Sequence, residues 1–245
     1  MEVQNKNAAF TLMTIKFSHS DRLDFDYLLI GNSRLHWALR KDNSYEFFHT
    51  SFDQRFPENI NLKKLIWASV GKYPTSKLLS KNEISINNFT LKKMPDHIGI
   101  DRALACFAVQ KIIENRYKKN ILIVDLGTTV SITKIDNKGN LIGGQLLPGF
   151  TTQLKSMDEK TKNLTFPKNI FIPSNNFETN TVKAMLRGVY NSIFGAIKLS
   201  FNPKQDILII CGGDAKFIGE IIKKEVKNII IEPNLVMYGM IFSRK

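Results

Sequence analysis

Two short turns in the sequence carry residues suited to holding an anion. Gly31-Asn32-Ser33 follows the apolar run at 26–30, and Gly127-Thr128-Thr129 follows the run at 121–126. Tight turns of this composition expose backbone N–H groups and small hydroxyls, which can hold phosphate. One such turn alone is more often only a hairpin connection. Two of them at matching places in the two halves of the chain favour a phosphate site.

Three charged side chains accompany these turns. Asp125 interrupts the second apolar run, where an unpaired carboxylate would be costly to bury. It should therefore meet a cation, a hydroxyl or backbone N–H groups; the alternative is a carboxylate that caps its own turn. Asp101 and Arg102 follow Gly99 at a predicted helix start. The carboxylate could take a proton from a substrate hydroxyl and the guanidinium could bind a substrate carboxylate, although an Asp at a helix start is more often an N-cap.

Strands and helices alternate around these residues. Apolar runs and period-two alternation predict strands at 26–31, 34–41, 121–127, 130–135 and 207–211. Apolar positions three and four residues apart predict helices at 101–116, 180–199 and 215–226. Asn180 or Thr181 is expected at the N-cap of the second helix, and Gly188 and Gly195 are expected to face a close-packed neighbour. The mixture predicts an α/β chain.

The two halves of the chain resemble each other. LLIGNSRLHWAL and VDLGTTVSITKI begin 96 positions apart in the chain of 245 residues, which predicts two related lobes with a boundary near residue 117. The predicted organisation is an N-terminal extension followed by two lobes, at 1–25, 26–117 and 118–245. The glycine-rich segment 143–149 is predicted to be a loop that lines a pocket.

The composition limits the class of protein. The chain has 245 residues, 43% hydrophobic and 23% charged, enough for one large or two small packed domains. No apolar run reaches the ~20 residues of a membrane-spanning helix, and the opening segment does not read as a signal peptide. A cytoplasmic protein without a membrane partner is therefore expected. The net charge of +13 is spread over short lysine clusters, which favours a solvated surface over the alternative of a nucleic-acid partner.

Several kinds of site have no motif in the sequence. The patterns typical of zinc metalloproteases, α/β-hydrolases, P-loop proteins and Rossmann dinucleotide-binding folds are absent. Cys106 and Cys211 lie far apart in apolar surroundings without a CxxC motif, so they are expected to be structural thiols.

These segments, in this order, resemble the type III pantothenate kinases, which phosphorylate pantothenate with ATP in the first step toward coenzyme A. The most specific matches are GIDR at 99–102 and DLGTT at 125–129, followed by GNLIGGQLLPG at 139–149. Weaker matches are NTVKAMLRG at 180–188, CGG at 211–213 and EPNLVMYGM near the end, and IWASV at 66–70, followed by Pro74, looks like the strand that closes the first sheet. The resemblance covers about residues 26–241.

The resemblance implies an α/β fold of two ribonuclease-H-like lobes with mixed sheets, as in the actin-like ATPase and sugar kinase superfamily. It further implies a homodimer with active sites near the subunit interface, ATP with Mg²⁺ as the phosphoryl donor, and a requirement for K⁺ or NH₄⁺.

The resemblance also implies roles for particular residues. Asp101 would be the general base, and Asp125 would bind the monovalent cation. Pantothenate would be bound by Gly99, Ile100, Asp101, Arg102 and Thr181. ATP would be bound by Thr128 and by the first turn, comprising Leu29, Ile30, Gly31, Asn32, Ser33, Arg34, Leu35 and His36.

The chain departs from the family pattern at the first turn and after the second. Leu29 stands where the family usually has an Asp, Ser33 replaces Thr, and Thr133 stands at another usual Asp. Asp125, Asp26 or water would have to compensate for the first acid, or nucleotide binding would be weakened. The leading hypothesis is a pantothenate kinase. The alternative is a catalytically weak ligand-binding or regulatory protein of the same fold.

Overall fold

The computed structural model of the chain describes residues 25–72, 75–76, 78–88, 91, 93–95, 97–113, 118–227 and 229–243. Pro74, the lobe boundary near residue 117 and, apart from Phe25, the extension predicted at 1–25 lie outside these residues. The division into lobes at 26–117 and 118–245 stays a prediction.

The first sheet has four strands in the order β3-β2-β1-β4. They are β1 (Asp26–Ile30), β2 (Leu35–Lys41), β3 (Ser44–Thr50) and β4 (Leu65–Ser69). β1 is antiparallel to β2 and parallel to β4. Short 3₁₀ turns at Leu62–Lys64, Ser80–Asn82 and Ile86–Asn88 follow β3 and β4 along the chain.

The second sheet has five strands in the order β7-β6-β5-β8-β9. They are β5 (Asn120–Leu126), β6 (Thr129–Ile135), β7 (Leu141–Pro148), β8 (Asp206–Cys211) and β9 (Ile229–Ile231). The helices are α1 (Ile100–Ile113), α2 (Phe150–Lys160), α3 (Thr181–Ser200), α4 (Ala215–Glu225) and α5 (Leu235–Phe242). Segment 143–149 was predicted as a loop, but all of it except Gly149 belongs to β7. Its backbone pairs with β6, and that pairing needs no side chains.

Both sheets begin with the same arrangement. In each, three consecutive strands form an antiparallel meander, and the next strand in the sheet pairs in parallel with the first of the three. The predicted α/β fold with two ribonuclease-H-like, mixed sheets is confirmed. In each sheet the first strand ends at one of the two glycine turns, so the fold sets the turns at equivalent places.

A central core lies between the two sheets. Helices α1 and α5 pack against each other there, and one face of each sheet covers them. A Cβ atom at Gly239 of α5 would lie 2.2 Å from the Leu104 carbonyl oxygen of α1, so the helix backbones touch. Close packing of this kind leaves α1 little freedom to move. The last helix therefore fixes α1, and with it Asp101 in the first turn of α1.

The outer faces of the sheets are covered differently. Helices α2, α3 and α4 cover the second sheet, whereas aromatic and aliphatic side chains surround Trp37 and Trp67 on the first. Asn180 is the N-cap of α3, as predicted, and its side chain accepts a hydrogen bond from Lys183 N. The expectation for Gly188 and Gly195 was wrong, because a Cβ at either position would meet nothing within 4 Å. Among the described residues, no helix has the length and apolar character needed to cross a bilayer.

Candidate active site

The two glycine turns meet across the cleft between the sheets. Ser33 Oγ lies 3.0 Å from Thr128 Oγ1, although the residues are 95 positions apart in the chain. Both side chains are exposed to solvent. The turns that the sequence suggested as phosphate sites therefore form a single site with hydroxyls from both lobes.

The first turn presents only part of its length to this site. Asn32, Ser33 and Arg34 are exposed, and Gly31 N donates to the Arg34 carbonyl oxygen at 2.9 Å. Leu29, Ile30 and Leu35 are buried in the core, so their side chains do not reach the open face of the turn. Burial, then the neighbouring charges of His49 and Arg34, lowers the pKa of His36 to about 4. The His36 imidazole is therefore neutral at physiological pH.

No carboxylate from β1 compensates for Leu29. The Leu29 side chain packs into the central core. Asp26 lies at the opposite end of β1, where Asp26 Oδ1 accepts a hydrogen bond from Arg40 N at 2.9 Å. Asp26 and Gly31 are five positions apart along the strand direction, about 16 Å at the usual rise per residue. The suggestion that Asp26 replaces the missing acid was therefore wrong.

Hydrogen bonds from the start of α2 hold the second turn in place. Gly149 N and Thr152 Oγ1 both donate hydrogen bonds to the Thr128 carbonyl oxygen, at 2.9 Å and 2.7 Å. These two bonds hold the Thr128 peptide while its hydroxyl stays exposed toward Ser33. The turn is therefore positioned before any ligand binds.

Asp125 lies at the end of β5, directly beneath Gly212. Gly212 has φ +92°, a conformation that favours glycine, and a Cβ there would lie 2.2 Å from Asp125 Oδ1. Burial, reinforced by the charge of Asp101, raises the pKa of Asp125 to about 7. Within the described part of the chain no donor forms a hydrogen bond to the Asp125 carboxylate, so it does not cap its own turn. Such a group is suited to meeting a cation.

Asp101 lies inside the first turn of α1 and not at its N-cap. The helix begins at Ile100, and the Gly99 carbonyl oxygen accepts from Ala103 N at 3.1 Å, so Gly99 is the capping residue. Asp101 Oδ1 accepts a hydrogen bond from Arg102 N at 2.8 Å. The N-cap alternative was therefore wrong. Asp101 is half-buried and its charge acts on Asp125, so the two acids belong to one site.

Arg102 extends from α1 over the second sheet. Its Nε donates to Thr133 Oγ1 on β6 at 3.1 Å. A Cβ at Gly144 on β7 would lie 2.4 Å from Arg102 Nη2, so the glycine leaves the space that the guanidinium occupies. The sequence marked Thr133 only as a departure from the family pattern. Its contact with Arg102 was missed, because it depends on how α1 packs on the sheet.

Thr181 lies on a different helix from Asp101 and Arg102. It is the first residue of α3 and is exposed. Among the described residues, no hydrogen bond or ion pair links it to Asp101, Arg102 or Asp125.

The two cysteines lie beneath the site as buried, free thiols, as predicted. Cys211 pairs with Asp125 in the ladder between β5 and β8. Burial raises the pKa of Cys106 to about 12. No group of three or more potential metal ligands of the His, Cys, Asp and Glu types occurs among the described residues.

The described residues define the protein as an α/β protein with two ribonuclease-H-like, mixed sheets, whose polar turns meet at Ser33 and Thr128. The family model for type III pantothenate kinase matches residues 75–202. The chain belongs to the type III pantothenate kinase family.

Individual relatives agree with this assignment. A type III pantothenate kinase of Synechocystis sp. is 28% identical over 229 residues, covering 87% of each chain. One from Nostoc sp. is 28% identical over 261 residues, covering 87% of this chain and 91% of its own. Among solved structures, a conserved Baf family transcriptional activator from Campylobacter jejuni has a TM-score of 0.64 and 22% identity, with 89% of this chain and 96% of that chain covered. That last likeness concerns the fold alone.

Proposed function

We propose that the protein catalyses the ATP-dependent phosphorylation of pantothenate on its primary alcohol, giving 4'-phosphopantothenate. One observation carries the proposal: the charge of Asp101 acts on Asp125, and Asp125 lies three positions before Thr128, which contacts Ser33. Arg102, next to Asp101, donates to Thr133 Oγ1. This grouping supports a site with a base, a cation-binding acid, phosphate-facing turns and a group for a substrate carboxylate. Membership of the family supports the choice of substrate.

Asp101 is the proposed general base. Its carboxylate takes the proton of the pantothenate hydroxyl as the hydroxyl oxygen attacks the γ-phosphorus of ATP, and the bond to the leaving ADP oxygen breaks in line. Positioning and charge neutralisation supply most of the rate in such transfers.

Arg102, with Gly99, Ile100 and Asp101, is proposed to bind pantothenate, the guanidinium binding its carboxylate. Thr181 is proposed as a further pantothenate contact on the resemblance alone. The turn residues Asn32, Ser33 and Thr128 are proposed to donate to the ATP phosphates, and Arg34 to contribute positive charge.

Asp125 is the proposed ligand of a monovalent cation, K⁺ or NH₄⁺. Its carboxylate fits that role because it is half-buried and no described donor forms a hydrogen bond to it. Cations bound here, and Mg²⁺ bound with ATP, would neutralise negative charge on the phosphates. With Leu29 in place of an acid, we assign the carboxylate roles of this site to Asp125 and Asp101.

A homodimer is also proposed. Large apolar side chains are exposed on β7 and α3, with Leu146 at 63% and Leu199 at 91% exposure. Such side chains on a monomer favour burial against a second copy. Analytical ultracentrifugation should give twice the monomer mass; a monomer at micromolar concentration would contradict this proposal. The cytoplasmic location, and the expected absence of nucleic-acid and membrane partners, stay predictions.

The test is a coupled assay of ADP release with pantothenate, Mg-ATP and K⁺. Pantothenate-dependent release of ADP is expected, and it should fall when K⁺ is replaced by Na⁺. If no pantothenate-dependent turnover occurs with several phosphoryl donors, the proposed reaction is wrong. Calorimetric binding of both ligands without turnover would instead favour the regulatory alternative.

A further inference from the structure

The Arg102 guanidinium is held by one neutral hydroxyl. Thr133 Oγ1 accepts from Nε at 3.1 Å, and Thr133 is only 2% exposed. A threonine side chain that is buried this far keeps a nearly fixed position, because its rotamers are restricted and the core is tightly packed. On β7, Gly144 has no side chain, and this leaves room for Arg102 Nη2. The guanidinium is therefore held by a hydrogen bond at Nε, and its Nη2 lies close to the Gly144 backbone.

The charge of this guanidinium is not neutralised by a neighbouring acid. Among the described residues, Arg102 forms no ion pair with a carboxylate. The adjacent Asp101 carboxylate accepts from Arg102's backbone N–H, at 2.8 Å, and not from its guanidinium. Because Thr133 bonds Nε, the Nη groups remain for a ligand. An arginine arranged in this way suits a ligand carboxylate, which needs two N–H donors in a fixed plane.

The strand register relates the contact between Arg102 and Thr133 to the position of Asp125, the proposed cation ligand. Thr133 and Ser131 lie on the same face of β6, because alternate residues of a strand share a face. Ser131 is paired with Asp125 on β5, and Thr133 is paired with Gly144 on β7. The contact between Thr133 and Arg102 thus lies about 7 Å along β6 from Ser131, the residue paired with Asp125. A small molecule with an alcohol at one end and a carboxylate at the other could span that face.

We propose that Thr133 is a positioning residue, which orients Arg102 so that the enzyme selects the carboxylate end of its substrate. This inference rests on the proposed function. Thr133 itself does not touch the reacting atoms. Its hydroxyl sets the plane of the guanidinium, and the guanidinium then distinguishes an acid from a neutral analogue of the same size.

The main test compares Thr133→Val with wild type. The change keeps the side-chain shape and removes the hydroxyl. Loss of one hydrogen bond of this kind should raise the KM for pantothenate about five- to tenfold. The kcat and the KM for ATP should stay within about twofold, as expected when substrate binding alone is weakened. Thr133→Ser, which keeps the hydroxyl, should remain within about twofold of wild type in every constant.

A neutral probe separates positioning from a general structural effect. Pantothenyl alcohol carries a hydroxymethyl group where pantothenate has its carboxylate. Its KM, or its inhibition constant as a competitor, should change less than about twofold in Thr133→Val, because the analogue has no carboxylate for Arg102. If both compounds weaken equally, or neither does, the positioning role is refuted. Thr161→Val, which removes an exposed hydroxyl at the end of α2, is the matched control.

The outcomes separate this inference from the proposed function. Turnover by wild type with no effect of Thr133→Val overturns the positioning role and leaves the kinase assignment intact. If wild type shows no turnover, calorimetric binding of pantothenate to wild type and variant decides: equal affinities, or no binding to either, overturn the inference. Should Thr133→Val fail to fold by thermal melting, Thr133→Ala removes the same hydroxyl without adding a methyl group in its place.

Discussion

Replacing Asp101 by Asn is the most direct test of its proposed role as the general base. The change removes the charge and the basicity of the side chain while keeping an oxygen that can accept from Arg102 N, a bond of 2.8 Å in the wild type. Local structure should therefore survive. A positioned general base contributes about 10²–10⁴ in rate. Because phosphoryl transfer passes through a loose transition state, the base is needed late, and we expect the lower half of that range, a fall in kcat of about 10²–10³.

Binding should respond differently from turnover. The variant removes one negative charge from the neighbourhood of Asp125, so ATP should bind with unchanged or slightly higher affinity. Steady-state ADP release gives kcat, and calorimetry with ATP gives the affinity. Asp158→Asn, the same change on the exposed face of α2, is the control and should leave both unchanged. A kcat for Asp101→Asn within about threefold of wild type would refute its assignment as the base.

Three further outcomes are expected. Gly212→Ala would place a side chain at a strained φ and make it clash with the Asp125 carboxylate, which should reduce the free energy of unfolding by about 2–5 kcal/mol. Tm in a melting experiment should fall by about 5–15 °C. An unchanged Tm would contradict the contact between Gly212 and Asp125. Burial and Asp101 raise the pKa of Asp125 to about 7, so the carboxylate takes up a proton as pH falls through that value. The K⁺ concentration that gives half-maximal activity should then rise about tenfold per pH unit below pH 7 and stay constant above it. If this concentration does not change from pH 6 to 8.5, Asp125 is not the K⁺ ligand. Burial raises the pKa of Cys106 to about 12 and that of Cys211 well above its usual range, so neither should react with a thiol reagent at pH 8 until guanidinium unfolds the chain.

The sequence was most informative where the relevant physics is local. Period-two alternation located β2 and β6, and apolar spacing located α1 and α3, each within a few residues. Both glycine turns were recognised as a pair, because each follows an apolar strand. Their contact through Ser33 and Thr128 then follows from the equivalent position of the turns in two similar sheets.

Features that depend on packing between distant elements were not accessible in this way. The proximity of Asp101 to Asp125 requires α1 to lie between the sheets, where α5 holds it through the backbone contact at Gly239. No pattern in α1 indicates that partner. The bond from Arg102 to Thr133 likewise joins a helix to a strand 31 positions away. The Asp101 N-cap alternative failed by two residues, because Gly99 is the capping residue and the Asp101 carboxylate bonds to Arg102 N within the first turn.

The first turn contributes positive charge to the cleft, and the proposed acids come from other elements. With Leu29 buried, the first turn presents the Arg34 guanidinium and the neutral His36 imidazole, and the acids Asp101 and Asp125 come from α1 and β5. Phosphates held between the turns would meet the positive charge of Arg34 at the first turn and the negative charges of carboxylates on α1 and β5. The loss of an acid from the first turn therefore weakens metal binding at that turn and also reduces repulsion of the phosphates. Because these effects act in opposite directions on nucleotide affinity, replacing the usual acid with Leu29 is compatible with an active kinase.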